Sequence, residues 1–218
     1  MLTTMKRLIG LILVCSLFFM FQQVSLADTW HQVKWVVDGD TVVLNNGQKL
    51  RYIGINAPEL EHDGHKAEPY GDEARQFNAS RVNRKKVRLE FDKERNDQYG
   101  RLLAYVFLKD NAFVNAEILS NGYAYLLYHR PNIRHHSVLL QSQRLAMSAK
   151  KGIWRKWTEP RNNYVANKRS RRFHLPTCPF GKRIKPQNRV VFRKQWEAFW
   201  EGYAPAKRCI PVFEVPGN

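Results

Sequence analysis

Six residues carry the types and spacing that chemistry on a phosphate would need. Asp38 and Asp40 interrupt a β-branched run, VVDGDTVVL, at residues 36–44. Arg51 sits inside the next apolar stretch, KLRYIGI, and Asn56 and Glu59 follow it in NAPE. Arg101 opens RLLAYVFL directly after DQYG. Carboxylate and amide oxygens are the hard donors that a divalent cation takes. Arginines hold a phosphate bidentately and stabilise the charge that builds during its displacement. A carboxylate held beside them can orient or deprotonate water. Asp38-Gly39 alone would be read as a hairpin turn. A turn does not need the second carboxylate, so Asp40 is read as a residue placed for chemistry.

The elements that must position these residues are short strands. Residues 31–37, 41–44 and 49–55 form an expected meander with turns at Asp38-Gly39 and Asn45-Asn46-Gly47. The stretch 56–71 holds two prolines and two glycines without apolar period and reads as a loop. A helix is expected from Asp72, then strands over 86–91 and 101–108. Two further helices are expected, around 111–122 and 134–151. Five short strands with helical insertions predict an α+β protein, a five-stranded OB-fold barrel packed on about three helices.

VVDGDTVVL, LRYIGINAPE, YGDEA and FDKERNDQYGRLLAYVF, in this order and spacing, resemble the staphylococcal nuclease (thermonuclease) family. The likeness extends through NGYAYLLYHRPN to KKGIW, roughly 31–154. It implies a Ca2+-dependent nuclease on an OB-fold that cuts DNA and RNA and leaves 3′-phosphates. Position by position, it implies metal ligation by Asp40 and Asn56, with Asp38 shaping the outer shell. Arg51, Glu59 and Arg101 are implied as catalytic, and Tyr99 and Tyr128 as nucleotide contacts, Tyr128 with the register shifted by about one residue. Asn56 stands where the family has a second aspartate, and Ala57 stands in place of a threonine. An amide oxygen brings no charge, so a weaker Ca2+ site is expected.

Residues 1–27 have the form of a secretory signal peptide: Lys6 and Arg7, an apolar run over 8–21, then small residues at Ser25 and Ala27. A retained anchor is the competing reading. The predicted mature chain, 28–218, is a monomer that is secreted or periplasmic. The leader takes Cys15 with it and leaves Cys178 and Cys209 as a pair.

Basic charge is concentrated toward the C-terminus. Residues 160–218 hold 13 Lys and Arg against 3 Asp and Glu, whereas 28–159 hold 21 against 16. This favours a polyanionic partner, DNA or RNA first. Residues 28–157 are expected as the nuclease domain, 158–171 as a basic linker and 172–218 as a small basic module. In the basic run across the end of the linker, Lys168, Arg169, Arg171 and Arg172 are candidate phosphate contacts. FHLPTC at 173–178 and GYAPAKRC at 202–209 resemble the metal module of the Ada DNA-repair protein. The matching positions are His174, Cys178, Ala206 and Cys209. Alanine is not a ligand, so a Cys178–Cys209 disulfide is preferred over Zn2+. His62, Asp63 and His65 are read as solvated loop, His135 and His136 likewise, and Trp154 and Trp157 as packing residues. A catalytically weak nucleic-acid-binding scaffold is the alternative function, and a binder of an anionic cell-surface polymer a third.

Overall fold

The computed structural model describes residues 30–61, 66–159 and 163–210. The expected leader and the His62, Asp63 and His65 cluster lie outside them.

Strands β1 (Trp30–Val36), β2 (Thr41–Leu44), β3 (Lys49–Tyr52), β5 (Lys86–Glu90) and β6 (Leu102–Phe107) close into a barrel in the order β1-β2-β3-β6-β5. The β3–β6 pairing is parallel and the remaining barrel pairs are antiparallel. Alternation builds the interior: Val33, Val42, Leu44, Leu50, Tyr52, Val87 and Val106 are all sealed from solvent. This is the expected OB-fold barrel. The stretch 49–55, expected as one strand, divides into β3 and a short β4 (Ile55–Asn56). At Gly54, between them, φ is +81°, and an added Cβ would lie 2.5 Å from a Leu139 methyl. Only glycine accommodates both.

Helices α1 (Gly71–Val82), α2 (Val114–Ser120) and α3 (His136–Ser148) cover the barrel, and β4 pairs with β7 (Tyr125–Leu126). His135 does not sit in solvent as expected. Its Nε2 lies 2.9 Å from Glu90 and its ring meets Tyr105 edge-on, because the end of β5 approaches the start of α3. His136 is half-buried against Tyr128.

The C-terminal lobe is a four-stranded sheet in the order β10-β8-β9-β11, formed by Arg189–Phe192, Tyr164–Asn167, Arg172–His174 and Ala204–Pro205. Two short helices, α4 (Pro179–Lys182) and α5 (Gln195–Trp200), accompany it. The expected linker over 158–171 is therefore corrected: its second half holds β8. Tyr164 and Ala166 alternate inward and are fully buried, a two-residue period masked in the sequence by the basic residues that follow.

Nor is this lobe a separate bead. Tyr164, Phe173, Phe199 and Tyr203 share one apolar cluster with Tyr125, Met147, Ile153 and Trp154. Trp154 and Trp157 pack there as expected, with ring centroids 5.5 Å apart. The buried Gln143 joins the two lobes. It accepts from the Leu126 amide at 2.6 Å and donates to the Phe199 carbonyl at 2.6 Å. Such a bridge fixes the lobe's position, since an unmade buried hydrogen bond costs about 1–3 kcal/mol.

Cys178 and Cys209 form the preferred disulfide, spanning 31 residues. In the chain-entropy description, a loop of that length contributes roughly 3–4 kcal/mol. His174 Nδ1 lies 3.5 Å from Cys178 Sγ and 3.8 Å from Cys209 Sγ, so three zinc-type donors also converge there.

Candidate active site

The turn between β1 and β2 is built around Asp38, whose Oδ1 accepts the Asp40 amide at 2.8 Å. Asn78, on α1, donates to the Asp38 carbonyl at 3.0 Å and accepts from the Tyr52 hydroxyl at 3.1 Å. Gly39 lets this turn press on its neighbours. An added Cβ would fall 2.5 Å from that of Ala57 and 2.7 Å from that of Ala74.

Asp40 is thereby held inward and is only 4% exposed. Its Oδ2 accepts the Ala57 amide at 2.7 Å and faces Arg51 Nη2 at 3.0 Å, while Oδ1 accepts from the Thr41 hydroxyl at 3.0 Å. Burial pushes its carboxyl up to about 7 despite the opposing pull of Arg51, and the nearby Asp38 and Glu59 charges act in the same direction as burial. It is a carboxylate short of positive charge.

Arg51 projects from β3 into the same place. Nη1 donates to the carbonyls of Tyr52 and Ile55, both at 3.0 Å, and Nη2 donates to Asn56 Oδ1 at 3.0 Å. Two hard oxygens, Asp40 Oδ2 and Asn56 Oδ1, thus converge on one cationic group. That donor set fits a divalent cation, with the Asn56 amide giving it one negative charge fewer than a carboxylate would.

Arg101 is set by a local device. Asp97 accepts from the backbone amides of Tyr99 and Arg101 and from Arg101 Nε at 2.7 Å. Tyr99 stands 75% exposed, with the Arg101 guanidinium 5.6 Å from its ring centroid. Glu59 is clamped through its backbone: its amide donates to Glu68 Oε2 at 2.9 Å, and its carbonyl accepts the Glu68 amide at 2.8 Å. The Glu59 carboxylate meets Lys207 Nζ at 3.0 Å.

Asp38, Asp40, Arg51, Asn56, Glu59 and Arg101 all line one cleft of about 560 Å3, with Tyr99 on its wall. Tyr128 does not line it. Its hydroxyl accepts from Arg130 Nε at 2.6 Å, and Arg171 lies 5.6 Å from its ring centroid. The neighbouring His129 faces the cleft instead. Sequence reasoning missed Asn78, Glu68 and Lys207. Asp97 was visible only as part of a polar turn, although an Asp four residues before an Arg was a usable signal for the pair.

An OB barrel that gathers hard oxygen donors and two guanidinium groups on one rim is a scaffold suited to holding a cation beside a phosphate diester. The family of staphylococcal nuclease homologues matches residues 49–156. A thermonuclease of Staphylococcus hyicus is 36% identical over 157 residues, covering 67% of this chain and 92% of that protein. A thermonuclease of Staphylococcus intermedius is 37% identical over 125 residues, covering 56% and 74%. Endonuclease YncB of Bacillus subtilis is 38% identical over 137 residues, covering 61% and 62%. The chain belongs to the staphylococcal nuclease family.

Proposed function

We propose that this protein is an exported, Ca2+-dependent endonuclease that hydrolyses the phosphodiester bonds of DNA and RNA and releases 3′-phosphates. The family makes it a nuclease. The observation that carries the finer reading is the convergence of Asp40, Asn56, Arg51, Arg101 and Glu59 on one cleft. Asp40 and Asn56 would hold the cation, with Asp38 behind them, and the bound cation would neutralise charge on the phosphate.

The chain's own groups do the rest. Glu59 orients a water and takes its proton as the oxygen attacks phosphorus. Arg51 and Arg101 stabilise the charge growing on the non-bridging oxygens. The bond from phosphorus to the 5′ oxygen breaks, that oxygen takes a proton from solvent and leaves as the 5′-hydroxyl of the next nucleotide, and the phosphate stays on the 3′ side. Tyr99 flanks the phosphate beside Arg101. The disulfide supports export, since such bonds persist in oxidising compartments. Among the described residues no helix is long and apolar enough to cross a membrane.

Two outcomes are expected from calcium titrations. Asn56→Asp restores a ligand charge and should lower the half-saturating Ca2+ concentration by about tenfold. An unchanged value would remove Asn56 from the cation site. The second concerns pH. With the Asp40 carboxyl raised to about 7, a proton competes with the cation below that pH. Half-saturating Ca2+ should rise about tenfold per unit as pH falls below 7.

The stability of the metal-free protein runs the other way. A raised folded-state pKa gives stability that is fully present below the unfolded value near 4 and lost as pH rises through about 7. Calcium should therefore raise Tm more at pH 8 than at pH 5.5. Equal shifts at both would contradict the placement of the ion at Asp40.

A further inference from the structure

The C-terminal lobe adds a second cleft beside the first. It measures about 430 Å3, and Asn56 and Leu127 line both. Its remaining wall includes Arg172, Lys207, Arg208 and Phe180. Arg172 also lines a smaller hollow, of about 230 Å3, which shares His129 with the candidate active site. Arg172 thus faces two spaces that both adjoin the catalytic cleft.

Its environment is unusual for a half-buried cation. Nη1 donates to the Tyr128 carbonyl at 3.2 Å and to the Ser170 carbonyl at 3.5 Å. Among the described residues, no carboxylate lies within ion-pair distance of it. Arg51, Arg81, Arg101 and Arg134 each have such a partner. Burial pushes the Arg172 guanidinium down, yet an arginine stays charged. A partly desolvated charge without a counter-ion is costly, and an anion entering the cleft would relieve that cost. Phe180, 46% exposed, offers an apolar surface next to it, with Arg183 and Arg208 at 5.5 and 5.9 Å from its ring centroid.

We propose that Arg172 anchors a second phosphate subsite, with Arg208 and Phe180 at its wall. This subsite holds a backbone phosphate of the same single strand whose scissile diester lies at Arg51 and Arg101. The inference rests on the nuclease reading above. A single strand is favoured because an exposed ring flanked by arginines suits an unstacked base rather than a closed duplex. Arg172 and Arg208 lie beyond the residues matched by the family, which end at 156, so the subsite belongs to the extension this chain carries.

The test uses the full chain with Arg172→Gln and, separately, the exposed Arg208→Gln. Binding of a labelled single strand of about twelve nucleotides is followed by anisotropy in EDTA over a range of NaCl. Arg172→Gln should weaken binding about tenfold and flatten the slope of log K against log salt by about 0.7. Arg208→Gln should show a smaller loss of the same kind. In Ca2+, the ratio of kcat/KM on the long strand to that on a dinucleotide should fall about tenfold for Arg172→Gln.

Wild-type affinity and salt slope in both variants would overturn the subsite, as would equal losses of kcat/KM on long and short substrates. If Arg172→Gln fails to fold, Arg208→Gln decides. If the wild type binds in an Arg172-dependent way but cleaves nothing, the nuclease reading fails and the subsite stands.

Discussion

Arg51→Lys should lower kcat for phosphodiester hydrolysis by about 10²–10³-fold while the protein stays folded. The charge is kept and the fork is lost, which makes this variant more informative than alanine. The Arg51 guanidinium serves the carbonyls of Tyr52 and Ile55, the Asn56 amide oxygen and the Asp40 carboxylate together. A lysine ammonium has three donors and cannot meet that planar arrangement. One acceptor would be left short, at about 1–3 kcal/mol. Alanine would also strand the buried Asp40 carboxylate, at about 3–5 kcal/mol, so its lost activity could be confused with lost fold. Near-wild-type turnover in a folded Arg51→Lys protein would mean that this guanidinium does not touch the reacting phosphate.

Glu59→Gln should lower kcat by about 10²–10⁴-fold and leave oligonucleotide affinity within about twofold. Glutamine preserves size and hydrogen bonding but cannot accept a proton from water. The stability cost should be small. The side-chain partner is the exposed Lys207, in a pair worth about 0–1 kcal/mol, and the clamp to Glu68 runs through the Glu59 backbone. Matched kinetic and binding measurements separate the possibilities. A fall in affinity without a fall in kcat would make Glu59 a binding residue and overturn its assignment to the attacking water.

The two residues illustrate what the sequence could tell. Arg51 and Asp40 could be singled out because the motifs around them, VVDGDTVVL and LRYIGINAPE, carry the family resemblance, and the fold places both on one cleft. Arg101 was singled out through DQYGR in the same resemblance, while its aspartate partner, only four residues away, was read as part of a polar turn. The groups that hold these residues were not legible. Asn78 reaches Asp38 across 40 residues, and Lys207 reaches Glu59 across 148. Only the assembled fold brings either pair together.

The same holds for the C-terminal lobe. Its basic composition raised the expectation of an anionic partner, yet β8 was hidden beside a run of arginines and read as linker. What makes 164–167 a strand is burial of Tyr164 and Ala166 in a core shared with the first lobe. Tyr128 was read with its register shifted by about one residue, and it lies outside the cleft. The residue of this segment that lines the cleft is the next one, His129. A shift of one position in an extended segment moves a side chain to the other face.

The most direct test of the central claim is cleavage of an end-labelled oligonucleotide by purified protein in Ca2+ and in excess chelator, with the product ends identified. Cleavage in Ca2+ that chelator abolishes is expected, with fragments ending in 3′-phosphate. Cleavage that persists in chelator, or fragments bearing 5′-phosphate, would contradict it.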